Sequence, residues 1–220
     1  MIMATFDPDQ FLNMTMDALD FQFMIGDVRD FLEFSEDSIA LQHKQEVAAH
    51  EQQDFGDDHE YEHHLAKGIE HRFLISLPLR VRYSALISFV TSVEWSMKYL
   101  KKATGPLVGA KAQGINEAVH VLSTLCNVVK HDARDVIATY EALVTLRNCI
   151  VHTGGIVEGY QYKDDLPAAA AAVPGVTLES CYFFGPQVCI ARSALVQPID
   201  RTEKLALTLH RLLRDGHHIR

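Results

Sequence analysis

The residues best suited to chemistry are Arg147, Asn148 and His152, within the stretch Leu146-Arg147-Asn148-Cys149-Ile150-Val151-His152-Thr153-Gly154-Gly155. Histidine is the side chain whose ordinary pKa suits proton transfer near neutrality. Arginine carries a permanent fork of donors matched to phosphate oxygens. Asparagine can hold an imidazole in one orientation or bind a phosphate oxygen directly. Cleaving a ribose phosphodiester without a metal needs this set: a base for the 2′-hydroxyl proton, an acid for the leaving oxygen and a cation for the phosphoryl charge. One histidine does not easily serve both proton-transfer roles in a turnover, so a second copy of His152 from a symmetric dimer is expected. The opposing expectation is structural. Arg147 would bridge an acidic group, Asn148 would hydrogen-bond between helices, and His152 would sit at a helix C-terminus, where a cation is favoured. Cys149 lies beside the same residues, but with no positioned base it is expected to be a buried thiol.

Helical periodicity places these groups. From Arg134 to Val151, Val136, Tyr140, Leu143, Leu146 and Ile150 recur at steps of three and four, the spacing of one helix face. Glu141, Thr145, Asn148 and His152 form a parallel polar stripe, which puts Asn148 and His152 one turn apart. Arg147 is about 100° round the helix from Asn148 and long enough to reach the same space. Gly154 and Gly155 end the helix, since glycine takes the left-handed cap conformation without strain. Asp132 is expected to cap the helix start, with Asp135 completing a loose capping box.

Upstream, Val81, Ala85, Phe89, Val93 and Met97 mark a core helix from Pro78 to Lys102, flanked by Trp95 and closed by Lys98, Lys101 and Lys102 before Gly105-Pro106. Glu94 is the acidic group on this helix, expected as a salt-bridge partner or as the group that orients Arg147. A further helix is expected over 114–131, with His120 a satisfied core histidine. Residues 9–34 read as one or two amphipathic helices, capped by Asp9 and open to interruption at Gly26, and 35–53 as an exposed or partner-packed helix. After Gly155, a loop over 158–174 with an alanine run precedes strands 176–184 and 187–191 around Gly185-Pro186. A last helix is expected from a cap at Asp200 to Leu213.

Residues 54–64 gather carboxylates and imidazoles, and His59 and His63 have the i, i+4 spacing of paired metal ligands. Tyr61 precedes Glu62, so the metalloprotease pattern is absent, as is a distant third ligand. The expectation is the wet start of a helix with no metal; His59, His63 and His64 are the candidate ligands of a metal alternative.

Charge divides the chain. Residues 1–70 carry 17 acidic and 3 basic side chains, and the remainder a balance of +5, within a total of −9. The mildly basic part holds the central motif. Phe73–Leu79 and Tyr83–Val90 are too short and interrupted to cross a membrane, so no membrane partner is expected. No basic residue precedes Arg29, unlike a secretory signal. Cys126, Cys149, Cys181 and Cys189 lack C-x-x-C spacing and are expected as reduced, mostly buried thiols of a cytoplasmic protein.

The Arg147-Asn148-x-x-x-His152 stretch near a helix end, preceded by a long helix and an intermediate one, resembles the signature of the HEPN superfamily (higher eukaryotes and prokaryotes nucleotide-binding). The resemblance spans roughly residues 75–215 as an arrangement. It implies an all-α bundle, here with a small C-terminal β-hairpin, that forms a homodimer with two motifs facing across a cleft. It implies metal-independent RNase activity on an RNA substrate, with Arg147 and His152 catalytic and Asn148 supporting, and no cofactor. Such members act in defence, toxin–antitoxin and RNA-processing settings, with an antitoxin or effector protein as a possible partner. Others have lost activity and serve as dimerisation, nucleotide-binding or protein-binding modules. Members paired with a nucleotidyltransferase antitoxin carry Tyr two residues after the motif His; Gly154 stands there in this chain. The expected organisation is an acidic helical extension over 1–74 and a helical core with hairpin and final helix over 75–220.

Overall fold

Helix formation here is decided by which apolar faces can be buried. The structure, a computed structural model, describes residues 16–111, 113–182 and 185–216, so the expected cap at Asp9 and the strand end at Phe183–Phe184 lie outside the described residues. The described chain is mostly helical, with one small antiparallel hairpin. Its elements are α1 (Met16–Glu51), α2 (His59–Glu70), α3 (Leu77–Thr104), α4 (Glu117–Val128), α5 (Arg134–Thr153), α6 (Leu166–Ala171), β1 (Val176–Tyr182), β2 (Gly185–Ile190) and α7 (Ser193–Asp215).

α3 is the centre. Ala85, Leu86, Phe89, Val90, Val93, Met97 and Leu100 are shut off from solvent along it. Burying a large apolar side chain of this kind contributes about 1.5–3 kcal/mol. Onto this stripe α1 lays Phe21, Ile25, Val28 and Leu32, so the acidic N-terminal stretch shares one hydrophobic cluster with the motif-bearing helices. α1 runs unbroken through Gly26. One glycine costs about 1 kcal/mol relative to alanine, which burial of Ile25 and Val28 on either side outweighs. Ion pairs then fix the direction of α1. Arg29 reaches Asp200 at 2.8 Å and Glu203 at 2.5 Å on α7. Arg82 of α3 binds Glu36 at 2.6 Å and donates to the Ile190 carbonyl of β2 at 2.9 Å.

α3 does not begin afresh at Pro78. A π-helical turn, His71–Ser76, joins it to α2 without a break. Pro78 lacks the N–H that would bond Leu74, and the ladder widens there, with Leu77 N–H donating to Arg72 O. The fused helix His59–Thr104 contains a window long and apolar enough to cross a membrane by length and composition, partly buried inside the protein.

Three further expectations are corrected. The 158–174 loop contains a 3-10 turn at Lys163–Asp165 and the helix α6, into which the alanine run falls with Ala169 and Ala170 buried. Gly185 and Pro186 belong to β2, since the register pairs Ser180 with Pro186 and Tyr182 with Gly185. α7 begins at Ser193 and carries Pro198 inside it, while Asp200 pairs with Arg29 and caps nothing. Pro198 forgoes the i→i−4 bond to the Ala194 carbonyl, and it is buried where the helix continues past it.

Two phenylalanines test this account of the core. Phe89 is fully buried with its ring edge-on to Tyr140 at 6.2 Å, whereas Phe34 is 76 % exposed. Phe89→Ala is expected to cost about 3–5 kcal/mol; Phe34→Ala should stay within about 0.5 kcal/mol. Urea unfolding midpoints of both variants read the difference, and equal midpoints would refute the assignment of core and surface.

Candidate functional site

The motif sits at the C-terminal end of α5, and that end is held from several sides. Gly154 caps the helix with φ 67°, donating its N–H to Ile150 O at 2.9 Å. Gly155, at φ 87°, lies so close to Tyr83 that a Cβ would overlap its ring and hydroxyl. The backbone then runs beside β2. Val188 N–H donates to Gly155 O at 2.9 Å, Val157 N–H donates to Pro186 O at 2.9 Å, and the Gln187 amide donates to Gly154 O at 3.0 Å. The hairpin thus anchors the residues that follow the motif. At the other end, Ala133 is the N-cap residue, and the Asp132 carboxylate accepts the Arg134 N–H and its guanidinium. The expected capping box with Asp135 is not formed, because the arginine takes the carboxylate.

Arg147 is half-buried, and its guanidinium donates to Glu94 of α3. The same Glu94 oxygen accepts the Asn116 amide at 3.1 Å. Asn116 is in turn the N-cap of α4, its side-chain oxygen accepting the Ala118 N–H at 2.9 Å. One carboxylate therefore joins α3, α4 and α5, and Glu94 fills both roles expected of it, salt-bridge partner and orienting group. Asn116 is the member that the motif did not reveal. Its signal was present, as an asparagine immediately before a helical run is a preferred cap. The Arg147 Nε is buried and without a hydrogen-bond partner.

Asn148 is half-buried and His152 exposed. The hydrogen bond expected between them is not formed, and among the described residues neither side chain has a hydrogen-bond or ion-pair partner. The fold brings Arg147 to Glu94 and leaves the imidazole on the surface, about five residues and 140° further round the helix. Cys149 is a buried thiol, with Sγ 3.5 Å from the Thr153 hydroxyl, and burial raises its pKa. No base adjoins it.

Beside Glu94, Trp95 and Tyr99 are half exposed, with ring centroids 6.3 Å apart and 33° between planes. The Lys98 ammonium lies 4.8 Å from the centre of the Trp95 ring. Sequence periodicity had set Trp95 on the flank of the core. Its exposure is a tertiary fact, since the α3 stripe is already filled by Val93, Met97 and Leu100. A cleft of about 740 Å³ at the turn between α4 and α5 is lined by Cys126, Asn127, Lys130, His131 and Arg134, so it is separate from the motif.

His59, His63 and His64 lie on α2, which buries none of its residues. His59 pairs with Glu62 at 3.5 Å and His64 with Glu60 at 3.9 Å, and no group of three metal-ligating side chains is gathered among the described residues. His120 hydrogen-bonds the Gly109 carbonyl at 3.1 Å. Cys126 and Cys149 are free, but Cys189 is disulfide-bonded, which corrects its expected reduced state. Spacing along a sequence does not show which cysteines a fold carries within bonding reach.

No protein-family model, no curated protein and no solved structure matches this chain.

Two outcomes follow from the geometry. Glu94→Gln and Arg147→Ala should each destabilise the fold by about 1–3 kcal/mol, because each leaves a half-buried partner uncompensated. The double variant should lose less than the sum by roughly 0.5–1 kcal/mol, measured as a double-mutant cycle in urea. Burial also pushes the Cys126 thiol up to about 11. A folded-state value above the unfolded one gives stability that is complete below the ordinary thiol range and lost as pH rises through about 11. At pH 8 the folded protein should resist iodoacetamide at Cys126 and Cys149 while urea-unfolded chain reacts; prompt labelling of either in the folded state would contradict this.

Proposed function

We propose that this chain is a metal-independent endoribonuclease of HEPN type acting as a homodimer, with Arg147 and His152 catalytic and Asn148 supporting. The observation that carries the reading is an exposed imidazole, unpartnered among the described residues, at a capped helix end, one turn and a half from a guanidinium that donates to Glu94. His152 removes the 2′-hydroxyl proton; the 2′-oxygen attacks phosphorus, the bond to the 5′-oxygen breaks, and a cyclic phosphate forms. The leaving oxygen takes its proton from the second protomer's copy of the same histidine. In this reading a terminal N–H of Arg147 not given to Glu94 meets the charge on the phosphoryl oxygens, the Nε being buried. The Trp95–Tyr99 pair and Lys98 next to Glu94 add an aromatic and cationic surface of the kind that single-stranded nucleic acid favours.

A second reading has its own observation. Arg147 is already committed to a carboxylate that ties three helices, which is sufficient reason for an arginine there in a catalytically silent dimerisation or binding module. Purified protein incubated with single-stranded RNA in excess EDTA separates the two. The nuclease reading expects cleavage leaving 2′,3′-cyclic phosphate ends, reduced about 10²–10⁴-fold in His152→Ala and about 10²–10³-fold in Arg147→Ala. With His152→Ala still folded by circular dichroism, undiminished cleavage or none in either protein leaves the silent module.

A further inference from the structure

α1 carries large apolar side chains on two opposite faces, and the core uses one of them. Phe21, Ile25, Val28 and Leu32 point inward. Two residues further on, Phe23, Asp27, Asp30, Phe34, Asp37 and Leu41 follow steps of four and three along the opposite face, and every one of them is exposed. Phe23, Phe34 and Leu41 are 63 %, 76 % and 59 % exposed, and Phe31 beside them 43 %. The stripe is about 27 Å long at 1.5 Å per residue. Large exposed apolar side chains rimmed by polar groups mark sites of association.

The interleaved charges decide what kind of neighbour fits. The three aspartates in the stripe lie at heptad positions where a facing helix would touch them. Asp27 and Asp30 have no cationic partner among the described residues, Asp37 reaches Arg192 at 3.2 Å, and Arg29 is turned inward to Asp200 and Glu203. A second copy of α1 is a poor occupant. Laid antiparallel with Phe23 opposite Leu41, it sets Asp27 against Asp37 and Asp30 against Phe34. Laid parallel in register, it sets each aspartate against itself. Anionic membranes and nucleic acids meet the same repulsion. A basic amphipathic helix meets apolar with apolar and places lysine or arginine opposite each aspartate, the arrangement by which charged positions on packed helices select partners.

We propose that the outward face of α1 is a docking surface for a basic amphipathic helix of a partner protein, with Phe23, Phe34 and Leu41 as anchors and Asp27 and Asp30 as the charge determinants. This surface is independent of the nuclease reading and stands or falls without it.

The test uses the full chain and a fluorescein-labelled helical peptide of about 20 residues, with leucines facing Phe23, Phe34 and Leu41 and lysines facing the aspartates. A control peptide carries glutamate in place of lysine. Anisotropy titration should show binding of the lysine peptide only, weakened as salt is raised from about 0.1 M to about 1 M. D27K/D30K, at exposed positions that leave the core intact, should reverse the preference toward the glutamate peptide. Phe34→Ala should weaken the lysine peptide about tenfold. Equal binding of the two peptides, no binding of either, or a preference unchanged in D27K/D30K would overturn the proposal. So would self-association of the unliganded chain in sedimentation that Phe34→Ala abolishes, since that makes a second copy the occupant.

Discussion

The buried stripe of α3 is the constraint on which the rest of this protein depends. Ala85, Leu86, Phe89, Val90, Val93, Met97 and Leu100 exclude solvent along four turns, and α1, α4, α5, α7 and β2 all pack on that helix. Because the stripe is filled, the remaining α3 positions must serve other ends. Glu94 turns to Arg147 and Asn116, and Trp95 and Tyr99 face outward. The same helix that closes the core therefore also aims the motif's guanidinium. Packing and the placing of Arg147 are coupled here through adjacent residues of one element.

Positioning of the motif is divided between two kinds of support. Arg147 is fixed by charge, through a carboxylate that also accepts a hydrogen bond from the cap of α4. His152 is fixed only through the backbone, by the Gly154 cap and the bonds that tie Gly154 and Gly155 to β2. The imidazole thus keeps its rotameric freedom while the guanidinium does not.

The acidic N-terminal helix is part of the packed protein. Its inner face shares the core, and Arg29, Glu36 and Asp37 bind it to α7, α3 and the segment before α7. Its charge is consequently split: Glu36 is spent on Arg82 within the fold, while Asp27 and Asp30 remain outside. The bulk balance of −14 in residues 1–70 conceals that division.

Sequence alone determined the motif helix and the core stripe of α3 through periodicity, the helix cap through glycine's tolerance of the left-handed conformation, and the hairpin through its β-branched and aromatic residues. It also identified Glu94 as a group able to meet Arg147, as a lone carboxylate in an apolar helix needs a cation. Tertiary structure decided the rest. Pro78 and Pro198 look like boundaries in a sequence, yet a π turn absorbs the first and the early turns of α7 tolerate the second. Gly26 looks like a break, yet burial on either side carries the helix through it. Asp132 and Asp200 look like caps, yet both are drawn to arginines. At Gly26 and Asp200 a short-range preference met burial or charge from a distant part of the chain, and the distant interaction prevailed.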